Sequence, residues 1–374
     1  MSTVPPADAP APEDLTPVFE VTDVRRDGDR VLYVGYPRES PATVKSELTP
    51  LFYERGFEMY LQARGENPSG EYAIVASDRS IGIDGIPWKN AALALATVLT
   101  TLYAGTVWYH IDVAANPLHA LRAWPFSLAI LTILGVHEFG HYITSRIHRV
   151  DASLPYFIPI PPPFGTAGAI IRMRGRMPSR KALLDIGASG PLAGVVATVV
   201  VTMVGLSLDP ITVPRSVATS DAARIEFAEP LLLRGLAWLT GQPLSYADPA
   251  KQLHPVVFAG WLGMLVTFLN LLPVGQLDGG HVLRALIGHR QETVAAAIPA
   301  VLFGFAGLLL LRGDVSVEAG VWIVWGVFTG VMAFFGPAVP MREEPLNRKR
   351  QAVGLLTFLV GALCFMPIPF RIVA

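Results

Sequence analysis

The chain has 374 residues, of which 52% are hydrophobic and only 16% charged, with a formal net charge of −1 and a mean hydropathy of +0.44. A soluble domain carries about a quarter charged residues, so this composition points to lipid, and the near-zero net charge gives no basic field for a nucleic-acid partner. The only cysteine, Cys364, excludes an intrachain disulfide framework.

Residues 1–15 are rich in Pro, Ala and acid and lack the basic start and apolar core of a signal peptide. They read as a disordered tail, leaving membrane entry to the first apolar helix. Residues 16–88 read as a small soluble α+β domain. Val31–Val34 looks like a strand after the turn Asp27-Gly28-Asp29. Ser40-Pro41 signals a helix start, and the helix runs to Arg55 and stops at Gly56. Strand-like stretches follow around Met59–Ala63 and Tyr72–Ala76, split by Asn67-Pro68-Ser69-Gly70. No catalytic constellation lies in this domain, which suits it to regulation or substrate recruitment.

Residues 89–374 read as a polytopic α-helical membrane domain with six to seven transmembrane helices. Apolar runs long enough to cross a bilayer fall at about 91–109, 124–148, 183–206, 255–273, 294–311, 318–336 and 353–369. Between the second and third, five prolines from Pro155 to Pro163 exclude regular helix. Gly165-Thr166-Ala167-Gly168 and the strand-like Ala169–Arg174 follow. Irregular backbone near lipid must be shielded by protein or line a wet cavity, so a membrane-associated loop or β-hairpin is expected there. Arg149, Arg172, Arg174, Arg176, Arg180 and Lys181 follow the second helix, and Arg342, Arg348, Lys349 and Arg350 follow the sixth. The positive-inside rule places both loops, and by counting back the amino-terminal domain, in the cytoplasm. Segment 207–254 then lies outside, and its Leu231–Leu239 run is too short to span.

The second apolar helix contains His137-Glu138-Phe139-Gly140-His141. Positions four apart share a helix face, so two imidazoles can bind one zinc ion and Glu138 can serve as general base on its water. Ionisable groups inside a membrane helix are costly and mark function; the bland alternative is a polar cluster satisfied by neighbouring helices. His110, His119, His148, His254 and His289 sit in loops or near helix ends and read as structural. Two histidines leave a catalytic zinc one protein ligand short. Asp278, in Asn270-Leu271-Leu272-Pro273-Val274-Gly275-Gln276-Leu277-Asp278-Gly279-Gly280, is the candidate. Taken alone it reads better as the cap of a helix starting near Gly279. Depth supports the ligand reading: His141 lies five residues before Arg146 and Asp278 six before Arg284, both on the order of 10 Å from charges at the cytoplasmic side. His281, three residues further on, reads as structural.

The pairing of HExxH on a membrane helix with Asn-x-x-Pro-x-x-x-Leu-Asp-Gly downstream resembles the site-2 protease family over about residues 90–290, the catalytic core. Pro155–Gly168, with no evident PDZ insert, resembles the branch with chloroplast and cyanobacterial members. Gly190-Pro191-Leu192-Ala193-Gly194 resembles the family's small-residue motif, which lets helices pack closely. The resemblance implies one zinc ion held by His137, His141 and Asp278, Glu138 as catalytic base, and Asn270 binding substrate or the transition state. It implies hydrolysis of peptide bonds in transmembrane substrate proteins, that is, regulated intramembrane proteolysis, with the lipid bilayer as surroundings. Two rivals stand beside it: a metal-binding membrane transporter, which should carry more ionisable residues deep in other helices than Asp185 and Glu318 near helix ends, and an inactive relative that binds membrane proteins.

Overall fold

The period-two alternation before residue 80 and the long apolar runs after residue 88 build two kinds of layer, seen in a computed structural model that describes residues 8–28, 30–64, 70–79, 86–174, 177–214, 224–313 and 317–373. The first layer holds α1 (Pro12–Leu15), β1 (Phe19–Asp27), β2 (Arg30–Pro37), α2 (Pro41–Glu54), β3 (Phe57–Ala63) and β4 (Tyr72–Asp78), with the strands in one antiparallel sheet of order β1-β2-β4-β3. Helix α2 starts where the sequence signals it. The Ser40 hydroxyl accepts the Thr43 N–H, Pro41 fills the first turn, and Gly56 at φ +89° reverses the chain into β3. Its apolar stripe of Val44, Leu48 and Phe52 packs with Phe19, Tyr33 and Ile74 of the sheet, and the Tyr33 and Phe52 rings meet edge to face at 5.5 Å.

Strand β1 was not legible in the sequence. A register shift between Val21 and Asp23 breaks its alternation, so only Phe19 and Val24 reach the core. The expected tail 1–15 is corrected over its described part. Ala9 and Leu15 are buried, and the Tyr33 hydroxyl, needing an acceptor once buried, donates to the Pro10 carbonyl at 2.7 Å.

The second layer begins with α3 (Trp88–Trp108), a 3-10 turn at Pro117–Ala123, and α4 (Trp124–Ile147). Four short strands follow: β5 (Asp151–Ala152), β6 (Tyr156–Pro159), β7 (Thr166–Ile170) and β8 (Met173–Arg174). After α5 (Arg180–Ser207) come β9 (Ile211–Thr212), β10 (Arg224–Phe227), α6 (Leu231–Thr240), β11 (Lys251–Gln252), α7 (Pro255–Asn270) and α8 (Asp278–Ile287). The chain ends with α9 (Arg290–Leu311), α10 (Val317–Phe335), α11 (Arg348–Leu363) and β12 (Phe370–Val373). The short strands pair antiparallel as β5 with β8, β6 with β7, β9 with β11 and β10 with β12.

Among the described residues, α3, the 117–147 unit ending in α4, α5 and α9 are long and apolar enough to cross a bilayer. Shorter apolar helices stand among these four, at Leu231–Thr240, Pro255–Asn270 and Ala319–Phe335. Helix α7, 16 residues long, reaches only about 24 Å against a hydrocarbon core of about 30 Å. Its apolar residues are spent inward: Val256, Val257, Trp261, Met264 and Phe268 are buried with Phe126, Ile130 and Leu134 of α4 and Leu233 and Leu236 of α6. Cys364 is buried in this same cluster, as a packing residue.

Helix α5 packs against α4, α7, α8 and α11. Small residues let it approach each closely. A Cβ on Gly263 of α7 would lie 2.6 Å from the Thr198 hydroxyl, and one on Gly205 would lie 2.7 Å from the Val257 nitrogen. The Thr198 and Thr202 hydroxyls donate back to the carbonyls of Gly194 and Thr198 at 2.8 and 2.7 Å, so no polar atom is stranded.

The proline-rich stretch is a hairpin of β6 and β7 laid along α3. Donors on α3 meet its free carbonyls: Asn90 Nδ2 those of Leu154 and Pro155 at 2.9 and 3.0 Å, Thr100 Oγ1 that of Gly165 at 2.6 Å, and Trp108 Nε1 that of Pro163 at 2.7 Å. Irregular backbone at this depth is thereby satisfied by protein.

The two layers touch at one end of the helices. Arg342 Nη1 pairs with Glu54 Oε2 at 3.1 Å, Arg149 Nη1 donates to the Arg55 carbonyl, and Arg79 Nη2 donates to the Arg149 carbonyl. A partly exposed ion pair contributes at most about 1 kcal/mol, so the amino-terminal sheet relies for its own folding on the Phe52 core. Phe52→Ala is expected to destabilise that domain by about 3–5 kcal/mol. Limited proteolysis of the full chain should then cut residues 16–79 early while the helical core survives.

Candidate metal centre

Helix α4 turns His137, Glu138 and His141 inward, leaving them 3%, 5% and 5% exposed, while Phe139 and Ile143 on its other face point outward. One helical turn brings the imidazoles together, with Nε2 of His137 and Nε2 of His141 3.2 Å apart and ring centroids 5.0 Å apart. The space they occupy is provided by α5. A Cβ on Gly190 would overlap the His141 ring, and one on Gly194 would lie 2.9 Å from His137 Nδ1. The helices run antiparallel, so two glycines four apart face two histidines four apart. Gly140 of α4 completes the close approach, its added Cβ lying 2.7 Å from the Ser189 carbonyl.

The same helix sets the tautomer. The Ile186 carbonyl of α5 accepts the His141 Nδ1–H at 2.8 Å. With the proton on Nδ1, a neutral His141 presents a lone pair at Nε2.

The third member comes from the loop between α7 and α8. Pro273 and Gly275 turn the chain, Gly275 at φ +50° with its α-carbon against the Met332 carbonyl of α10. Asp278 is the first residue of α8, after Leu277 in the cap position, and caps nothing through its side chain. Its Oδ2 lies 3.2 Å from His141 Nε2 and 3.3 Å from His137 Nε2. The ordinary capping role is therefore replaced by a carboxylate aimed at both imidazoles. Its far end is fixed by Arg180, which donates to the Ala285 and Leu286 carbonyls that close α8. Arg284, taken from the sequence as a marker of the water boundary, is instead buried at 1% exposure and paired with Glu343 at 2.8 Å. It marks that boundary only through its partner.

Asn270, the last residue of α7, places Nδ2 3.2 Å from His137 Nε2. Glu138 lies near the backbone of Ile171, where the chain leaves β7. His281 is not among the converging groups. Buried, it accepts the Ala338 N–H at Nδ1 over 3.2 Å, tying the start of α8 to the chain past α10. His148 bonds Asp185 at 2.9 Å, and Arg350 clasps the same carboxylate at 2.8 Å, a structural pair as the sequence suggested. Sequence reasoning missed the Ile171 and Ile186 backbone groups, because main-chain partners leave no residue-type signal.

His137, His141 and Asp278 each offer one ligand atom, all within 4.8 Å of one another. Two imidazole lone pairs and a carboxylate oxygen at about 3.2 Å separation repel unless a cation lies among them. The donor set therefore fits one divalent ion of the kind held by two histidines and a carboxylate.

The long apolar helices and this buried donor set define a class: a multi-pass helical membrane protein with a site for a single divalent metal. More narrowly, residues 125–311, half of the chain, match Peptidase family M50, and the chain belongs to that family. It is 28% identical over 356 residues to a protein of Arabidopsis thaliana named probable zinc metalloprotease EGY2, chloroplastic, covering 91% of this chain and 60% of that protein. To the Arabidopsis protein named probable zinc metalloprotease EGY1, chloroplastic, it is 33% identical over 207 residues, covering 54% of this chain and 36% of that one. The Arabidopsis protein named probable zinc metallopeptidase EGY3, chloroplastic, is 25% identical over 382 residues, 93% of this chain and 62% of its own length. The chain thus spans less than two thirds of the length of these relatives. No solved structure matches it.

If the glycines make room for the ligands, Gly190→Ala should lower divalent-metal affinity at least about tenfold, as loss of ligand-orienting surroundings does. Gly135→Ala, on the same helix as the histidines but with open space around its added Cβ, should keep full metal content by mass spectrometry of the purified chain.

Proposed function

We propose that the chain is a zinc-dependent intramembrane endopeptidase that hydrolyses peptide bonds in transmembrane segments of other proteins. In this reading residues 89–374 form the protease domain with its catalytic core at about 90–290, and residues 16–88 form an attached soluble domain. The carrying observation is the convergence of His137, His141 and Asp278 with Glu138 buried beside them. The names of the EGY relatives, each a probable zinc metalloprotease or metallopeptidase, support zinc as the ion.

When bound, zinc would lower the pKa of water and polarise the scissile carbonyl. Glu138, one residue from His137, takes the proton from the attacking water and returns it to the leaving amine. The Ile171 backbone lies near this carboxylate at the end of β7. Asn270 has an amide donor beside His137, placed to stabilise negative charge on the carbonyl oxygen. A substrate helix must unwind to expose its carbonyl carbon. Strand β7 pairs with β6 on one edge, and its other edge has no strand partner among the described residues. That edge suits an extended substrate added as a further strand.

The active site, in this reading, lies toward the cytoplasmic side, with the amino-terminal domain on the same side. The link from Glu54 to Arg342, and from Arg55 and Arg79 to Arg149, supports it by joining that domain to the two basic loops. The transporter alternative asks for ionisable groups along a path. Asp185, its best candidate, is held by His148 and Arg350 instead.

The deciding measurement is cleavage of a membrane-embedded substrate by the purified chain. Glu138→Gln should slow it about 10²–10⁴-fold while zinc content stays at one per chain; equal cleavage by both proteins would overturn the mechanism. Ala169→Pro should remove a ladder position from β7 and cut turnover of an intact transmembrane substrate with zinc unchanged. Undiminished turnover of that substrate would exclude strand addition.

A further inference from the structure

A cleft of about 820 Å³ opens where the amino-terminal sheet meets the Arg146 end of α4. Its wall is drawn from separate elements: Arg26 from β1, Arg55 after α2, Arg79 after β4, and Arg146 and Arg149 at the end of α4. Against these five guanidinium groups the wall holds two carboxylates, Asp8 and Asp78. Among the described residues only Arg55 of the five is in an ion pair, with Asp14 at 3.0 Å. Five like charges outnumber the two carboxylates of the wall, and the excess favours an anion.

Arg79 carries the argument furthest. Its guanidinium lies 3.6 Å above the centre of the Tyr53 ring, and Nη2 donates to the Arg149 carbonyl. Its Nε and Nη1 are buried and have no hydrogen-bond partner among the described residues. A buried charged donor left unbonded is expensive. Two of the three guanidinium nitrogens are therefore unused as donors, and an acceptor-rich oxyanion such as a phosphate would give such donors partners. Glu58 and Asp151 act on Arg79 only through space, and Arg149 opposes it. Arg149 stands at φ +54° just past α4, where the Val150 N–H closes on the Ser145 carbonyl and ends the helix.

We propose that this cleft binds a phosphate-bearing anion that bridges the amino-terminal domain and the end of the helix carrying His137, Glu138 and His141. Arg79 and Arg149 form its floor and Arg26 its rim. The site stands independently of the peptidase reading. His141 lies five residues from Arg146, about 8 Å along the helix, so occupancy is in reach of the metal centre without touching it.

Two sources share this chemistry, a soluble phosphate compound and an anionic lipid headgroup, and two arms of one experiment separate them. In the first, ATP and inorganic pyrophosphate are titrated by calorimetry into the delipidated full chain in neutral detergent. In the second, the full chain is mixed with phosphatidylglycerol or phosphatidylcholine and bound lipid is counted by native mass spectrometry. The expected result is saturable binding in the first arm, or phosphatidylglycerol-selective binding in the second, weakened at least tenfold by Arg79→Gln and by Arg26→Gln. Arg38→Gln, in the same sheet but outside the cleft, should bind like the parent chain. Arg26 is exposed, so its replacement tests the site even where Arg79→Gln does not fold. Absence of binding in both arms, or binding that the Arg26 variant and the Arg38 variant share equally, would overturn the proposal.

Discussion

The backbone of α5 passes α4 so closely at Gly190 and Gly194 that the imidazoles of His141 and His137 fill the places where larger side chains would stand. The rest of the centre depends on this approach. It fixes the distance between the nitrogens, brings the Ile186 carbonyl to His141 and leaves Asp278 a single side from which to enter. In lipid, apolar burial gives helices little reason to associate; fit and hydrogen bonding must supply it. Small residues recur along α5 at the contacts with α7 as well, where Gly205, Gly260 and Gly263 meet Val257, Thr202 and Thr198. The precision of the site is therefore the precision of a helix–helix contact several turns long.

Much of this was readable in advance because helical periodicity and residue chemistry agree. His137, Glu138 and His141 stood out by spacing alone, and their burial on one face follows from it. Helices α3, α4, α5 and α9 lie close to the apolar runs that announced them. Asp278 was ambiguous because helix starts favour aspartate whatever its purpose; only the fold reveals that Leu277 holds the cap position and the carboxylate faces the histidines. What stayed hidden was carried by main chain or by distant pairing. Strand β1 lost its signal to a bulge. The buried Ala9 and Leu15 gave no periodicity in so short a segment. Arg284 looked like a boundary charge because sequence cannot distinguish a surface arginine from one paired inside.

The β6–β7 hairpin places non-helical backbone beside the centre. Such backbone is tolerated in a bilayer only when its polar groups find partners. Helix α3 provides them along its length through Asn90, Thr100 and Trp108. An otherwise ordinary apolar helix thus carries a row of donors whose purpose appears only when the hairpin is laid against it.

The contact between Gly275 and the Met332 carbonyl extends the site beyond the segment that matches the family, which ends at residue 311. The loop leading to Asp278 turns sharply with α10 against it, and Ala338 just past α10 bonds His281 in the helix that follows. The carboxy-terminal helices are thus a buttress: the wall from which the acidic ligand is thrust toward its two partners. A chain cut back to the matched segment would keep every ligand in its sequence and lose the masonry behind one of them.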